Sequence, residues 1–128
     1  DHLDLDRPIA LFQCATLHFV PDQNAAEQII RGYVERLAPG SYVGITHGRL
    51  PDPSEDGYEQ MTSAETRFAS FAPAFTPRTE DAIRSLFDGL ELVPPGVVPL
   101  DDWWPSGPRL EPPSPLARMI YGGLARKG

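Results

Sequence analysis

With 128 residues, 18 acidic side chains against 11 basic ones and a formal charge of −7, the chain has no cationic stripe to track phosphates, so no nucleic acid partner is expected. No apolar run approaches the ~20 residues of a membrane-spanning helix and no stretch reads as a signal peptide, so no membrane partner is expected either. The single cysteine, Cys14, cannot close an internal disulfide, which points to a reducing, cytoplasmic setting.

The length suits one domain or one half of a larger one, with enough surface to bury a core. The first residue is Asp1 rather than Met, so a processed, trimmed or fragmentary chain is expected. The 15 prolines exceed the usual share of roughly 5 %. Most follow residue 50, where apolar residues are interspersed, so long irregular connections are expected there rather than disorder.

The stretch from Pro8 to Gly48 reads strand, turn, helix, turn, strand. Asp1 to Asp6 is a polar lead-in, and Arg7-Pro8 opens a first strand over Ile9 to Gln13. Its continuous apolar character predicts a strand covered on both faces. Pro21 to Asn24 carries turn and helix-start chemistry. Asn24 with Glu27 three residues on matches a capping box, and Asp22 is the rival cap. Ala26, Ile30, Tyr33, Val34 and Leu37 form one apolar stripe at helical spacing. Glu27 and Arg31 sit at i,i+4, worth a few tenths of a kcal/mol. Ala38-Pro39-Gly40 ends the helix, and Ser41 to Thr46 is a second short strand. A strand, a helix and a strand within about 40 residues predict a βαβ unit in a parallel sheet.

Beyond His47-Gly48-Arg49 the chain breaks at Leu50-Pro51-Asp52-Pro53. Ser54 is read as the cap of a second helix reaching Phe71, with Glu55 and Asp56 in its first turn and Tyr58, Met61, Phe68 and Phe71 near one face. Phe75 to Arg78 is an extended link. Thr79 caps a third helix with Ile83, Leu86 and Phe87 as its buried side, and Gly89 stops it. Leu90 to Val93 is a third strand, which Val97 to Leu100 extends after a kink. Asp101 to Leu116 is a proline-rich loop around Trp103-Trp104, and Met119 to Arg126 is the last strand.

An ordered series of short segments carries a family resemblance. It runs from Arg7-Pro8 through Leu17-His18-Phe19-Val20-Pro21-Asp22 and Leu37-Ala38-Pro39-Gly40-Ser41-Tyr42 to Thr46-His47. It continues with Phe87-Asp88-Gly89-Leu90-Glu91-Leu92-Val93, Pro95-Gly96-Val97-Val98-Pro99, Trp104-Pro105 and Tyr121-Gly122-Gly123-Leu124-Ala125-Arg126-Lys127. In this order the chain resembles the C-terminal half of a class I S-adenosylmethionine-dependent methyltransferase, and is most similar to the actinobacterial S-adenosyl methyltransferase family. The resemblance implies an α/β fold in which residues 1–128 form the C-terminal half of a Rossmann-like domain. The half-sheet would have the order 4-5-7-6 with its last strand antiparallel, flanked by helices. It implies S-adenosyl-L-methionine as cofactor and a small-molecule acceptor. The family's glycine-rich loop and ribose-binding acid would lie upstream of Asp1. No G-x-G-x-G run occurs here, and Gly122-Gly123 lies in a strand. The outer edge of the Ile9–Gln13 strand would then be unpaired, and such an edge invites a partner: the N-terminal half or a second copy.

In open α/β sheets ligands bind beyond the carboxyl ends of the strands. Those ends are Gln13 to His18 and Thr46 to Gly48. The resemblance implies that the first loop contacts the methionine part of the cofactor, largely through main-chain groups, with Gln13, Cys14, Ala15, Leu17 and His18 as candidates. The alternative is that Cys14 and Ala15 are small residues packed at a strand end. His18 and His47 would share one sheet edge, where either could take a proton from an acceptor or simply serve as a hydrogen-bonded structural histidine. Two histidines without clustered carboxylates or thiols make a poor metal site. Trp103 and Trp104 read as a substrate wall or, more simply, as packing under a long loop. No G-x-S-x-G setting supports a hydrolase triad. The rival functional reading is a non-catalytic module that pairs through its exposed strand edge; a weaker third is another doubly wound nucleotide-binding enzyme.

Overall fold

A computed structural model describes residues 3–70, 75–103 and 117–128. Within them the elements are β1 (Ala10–Cys14), α1 (Gln23–Arg36), β2 (Tyr42–Gly48), α2 (Tyr58–Phe68), α3 (Glu80–Ser85), β3 (Glu91–Leu92), β4 (Val98–Pro99) and β5 (Ile120–Arg126). The strands form one sheet in the order β1-β2-β5-β3, with β4 also on β5. β1 and β2 run parallel, and β5 is antiparallel to β2, β3 and β4. This is the 4-5-7-6 arrangement implied by the resemblance. β3 and β4 lie successively along one edge of β5, so they are one interrupted strand, with the break at Gly96 (φ +87°), where glycine accepts the left-handed turn without a Cβ clash.

The helix ends show which local signals prevailed. At α1 the cap is Asp22, not Asn24: the Asp22 carboxylate accepts from Asn24 N at 2.9 Å and Ala25 N at 3.3 Å. Glu27 is spent on the Gln23 side-chain amide at 3.0 Å rather than on a capping box. The other end is closed from a distance. Lys127 Nζ donates to the carbonyls of Val34 and Leu37, each at 2.6 Å, satisfying acceptors that every helix C-terminus leaves free. α2 starts at Tyr58 behind Gly57 (φ +94°), so Ser54 is not its cap. Ser54 lies in the preceding turns, where Glu55 is held by Arg49 at 2.7 and 2.9 Å instead of facing the helix dipole. Thr79 caps α3 as expected, accepting from Ala82 N at 3.2 Å.

One core is formed where α1 and α3 meet the sheet. It comprises Leu17, with Ala26 and Ile30 from α1 and Leu37 at its end, Val43 and Ile45 from β2, Ile83, Leu86 and Phe87 around α3, Val97 and Ala125. Period-two alternation puts Val43, Ile45 and His47 on this face. Tyr33 does not join the buried stripe of α1; it and Ile29 remain exposed. The first strand is not covered on both faces either, because alternation sends Phe12 to the opposite face, where it is 62 % exposed. There the Phe12 ring lies across Gly44, with only 2.5 Å between it and the place a Cβ would occupy. Leu100 sits over Gly122 in the same way, and Trp103 Nε1 donates to the Gly122 carbonyl at 2.9 Å. Around these residues lies a cavity of about 180 Å³. Trp103 is therefore seated on the sheet; Trp104 and Phe71 fall outside the described residues.

Candidate functional site

The parallel strands β1 and β2 end side by side, with Cys14 opposite Thr46. Beyond Cys14 the backbone turns sharply. Ala15 takes φ +55°, the left-handed region, which costs a residue with a Cβ roughly 1 kcal/mol. Two side chains hold the turn. Thr46 Oγ1 accepts from Ala15 N at 2.9 Å, and Thr16 Oγ1 donates to Gln13 Oε1 at 2.7 Å. One helical turn follows over Leu17–Phe19, whose Leu17 is buried in the core. The result is a short exposed backbone segment, Cys14 to Thr16, anchored in the core on one side and bonded to β2 on the other.

Behind this loop sits Arg78, only 5 % exposed. Its Nε donates to Gln23 Oε1 at 2.6 Å. Nη1 donates to the Leu17 carbonyl at 2.9 Å and to His47 Nε2 at 2.7 Å, and Nη2 donates to the Val20 carbonyl. Four of the five guanidinium donors are thus used. The Arg78 backbone is tied to the end of β2: its N donates to the Gly48 carbonyl at 3.0 Å and its carbonyl accepts from Leu50 N at 2.7 Å. Gln23 in turn donates to the Ala82 carbonyl at 2.9 Å, so the network joins β2, both strand-end loops, α1 and α3.

The two histidines do share one sheet edge, with ring centroids 5.6 Å apart. His47 is 1 % exposed and bonded at both nitrogens. A carbonyl can only accept and a guanidinium can only donate, so Nδ1 carries the proton to Gly48 O at 2.8 Å and Nε2 offers its lone pair to Arg78. Burial first, and the charge of Arg78 after it, push the His47 pKa down to about 4, against the pull of the Gly48 bond. His47 is neutral near pH 7 and has no free lone pair. His18 is packed edge-on against Phe19 and Phe75 at 4.5 and 4.9 Å. Its Nδ1 is enclosed and, among the described residues, unbonded, and burial followed by the Arg78 charge lowers its pKa as well.

Of the sequence-predicted residues, Gln13, Cys14, Ala15, Leu17 and His18 form this one loop, but they play different parts. Cys14 and Ala15 are exposed, Gln13 is half-buried, and Leu17 and His18 point inward. The Leu17 and His18 carbonyls are taken by Arg78 and by Thr76 N at 2.7 Å. Met61 of α2 is buried in the protein rather than presented to a ligand, and the side chain of Phe68 lies outside the described residues. Sequence reasoning missed Arg78 and Gln23. No local signal marks them, since the bond between them joins positions 55 residues apart.

The S-adenosyl methyltransferase family profile matches residues 1–128. None of the curated proteins matches the chain. Among solved structures, a DUF574-family protein from Streptomyces avermitilis is similar at TM-score 0.86 and 32 % identity, over 98 % of this chain and 47 % of that one. A putative methyltransferase from Thermobifida fusca is similar at TM-score 0.79 and 28 % identity, over 98 % and 45 %. A SAM-dependent methyltransferase from Methanosarcina mazei shares the fold at TM-score 0.58 and 16 % identity, over 97 % and 60 %. The chain therefore spans about half the length of the first two proteins it matches.

Proposed function

This chain belongs to the S-adenosyl methyltransferase family, and from that premise we propose that it forms the C-terminal half of a domain that methylates a small-molecule acceptor. The family's cofactor is S-adenosyl-L-methionine, which when bound supplies a methyl group on a positively charged sulfur. The observation that carries the reading is the strained, exposed Cys14–Thr16 backbone at the carboxyl end of β1, fixed by Thr46 and by the core. The small, exposed residues there fit close approach of the methionine end of the cofactor. Cys14 and Ala15 would make that contact, with Gln13 shaping the turn and Leu17 and His18 supporting it from behind.

The residues of this chain would position rather than move protons. In-line methyl transfer depends above all on holding the reacting atoms about 3–3.5 Å apart. His47, neutral and bonded at both nitrogens, cannot act as a base in this arrangement. His18 is the remaining candidate; its Nδ1 is enclosed and, among the described residues, holds no hydrogen bond. The rest of the cofactor cradle would come from residues preceding β1, since the sequence holds no glycine-rich turn of the required kind. Those residues would also cover the free edge of β1, which pairs only with β2 among the described residues. A second copy is the alternative cover.

The family match supports an enzyme over a non-catalytic pairing module. No helix among the described residues is long and apolar enough to cross a membrane, and the exposed free thiol of Cys14 suits a reducing cytoplasm. Calorimetric titration of S-adenosylhomocysteine into this chain, alone and mixed with the residues that precede it in its parent protein, tests the proposal. Saturable binding in the mixture is the expected result. Association of the two pieces without any binding would leave only the pairing module.

A further inference from the structure

We infer that Arg78 is the positioning residue of the cofactor loop, setting the path of Leu17–Val20 and through it the exposed backbone of Cys14–Thr16. The inference rests on the functional reading above and goes beyond it by assigning a residue in the connection between α2 and α3, far along the chain from the loop.

The Arg78 backbone is bonded to both sides of the β2 exit, at Gly48 and Leu50. Its side chain crosses to the β1 exit and captures two main-chain carbonyls, Leu17 and Val20, at either end of the helical turn. One residue therefore sets the relative position of the two strand ends that flank the proposed site. Two neighbouring contacts run the same way: Thr76 N donates to the His18 carbonyl at 2.7 Å, and the Phe75 ring packs on His18. Gln23 and His47 hold the guanidinium at Nε and Nη1, at 2.6 and 2.7 Å.

The chemistry requires arginine. A planar fork with donors in fixed directions can serve an amide oxygen, two carbonyls and an imidazole together. Lysine is a point charge with three donors on one atom and cannot span these acceptors. Among the described residues Arg78 makes no salt bridge; burial weakens its charged form, and the acids Asp22 and Glu27 support it only through their field. Its directed bonds are spent on loop geometry rather than on a charge partner.

The test uses the full-length parent protein with Arg78→Lys, Gln23→Leu and, as a stability control in the core beside Gly123, Val97→Ala. Arg78→Lys should raise the dissociation constant for S-adenosylhomocysteine and KM for the methyl donor by about tenfold, with kcat at saturating donor changed far less. Gln23→Leu, which removes one support of the guanidinium, should raise the same constants by roughly threefold. Val97→Ala should lower Tm without moving them. If Arg78→Lys does not fold, Gln23→Leu against Val97→Ala decides alone. Unchanged donor KM in the Arg78 and Gln23 variants, or an equal rise in Val97→Ala, would overturn the inference while leaving the methyltransferase reading intact. A wild-type protein that binds no S-adenosylhomocysteine would instead sink that reading, and the inference with it.

Discussion

Arg78 Nη1 donates to His47 Nε2 at 2.7 Å, and this contact fixes His47 as a neutral imidazole whose only proton points at the Gly48 carbonyl. The pH behaviour follows. The folded pKa of His47 is lowered from 6.5 to about 4, so the unfolded chain binds more protons between these values. The stabilisation is fully present above pH 6.5 and is lost as pH falls toward 4. Between pH 7 and pH 5 the loss should be about 2 kcal/mol. Urea unfolding of wild type and His47→Gln at both pH values checks this; the variant should be less stable at pH 7 and lose less on acidification.

Lys127 should matter to stability despite its place one residue from the end of the chain. Its ammonium closes α1 through the Val34 and Leu37 carbonyls. Lys127→Met keeps the apolar stem and removes both charge-assisted bonds, so thermal unfolding should show a loss of about 1–2 kcal/mol. An unchanged Tm would mean that water serves those carbonyls equally well.

Two glycines should respond to alanine with opposite signs. Gly123 faces the buried Phe87 and Val97, with 2.9 and 3.2 Å to a new Cβ. Phe87 has no room to retreat, so Gly123→Ala should destabilise by about 1–3 kcal/mol. Gly32 lies within α1 with nothing within 4 Å of its Cβ position, so Gly32→Ala should stabilise by up to about 1 kcal/mol. Denaturant melts of the two variants check both signs.

Thr46→Val separates loop geometry from stability. The substitution keeps the shape and removes the acceptor for Ala15 N. That amide is exposed and can turn to water, so stability should change by less than about 1 kcal/mol. In the full-length protein, affinity for S-adenosylhomocysteine should nevertheless fall by roughly three- to tenfold, measured by calorimetry.

The architecture was legible because its signals are local or periodic. The βαβ unit, the buried face of Ile83, Leu86 and Phe87, and the Thr79 cap follow from spacing and capping chemistry. The sheet order came from the family resemblance, since nothing in the spacing puts β5 between β2 and β3. Competing local signals were resolved by tertiary partners. Asp22 displaced Asn24 because Glu27, needed for a capping box, bonds Gln23 instead. Ser54 is not the cap because Gly57 takes the left-handed conformation just before Tyr58, where the helix begins. The coverage of β1 was misjudged because an apolar run does not say which neighbouring residues exist to cover it. At the site, the residues of the loop were visible as a contiguous stretch at a strand end. Arg78 and Gln23 were not, because the bond between them joins positions 55 residues apart and leaves no pattern in the sequence.

The most direct test of the account is amide hydrogen exchange at Cys14 to Leu17 in the full-length protein, with and without S-adenosylhomocysteine. The expected result is marked slowing at Cys14, Ala15 and Thr16 on binding, with little change at Leu17, which is already buried. Saturable binding that leaves the exchange of Cys14 to Thr16 untouched would contradict the claim that this loop holds the cofactor.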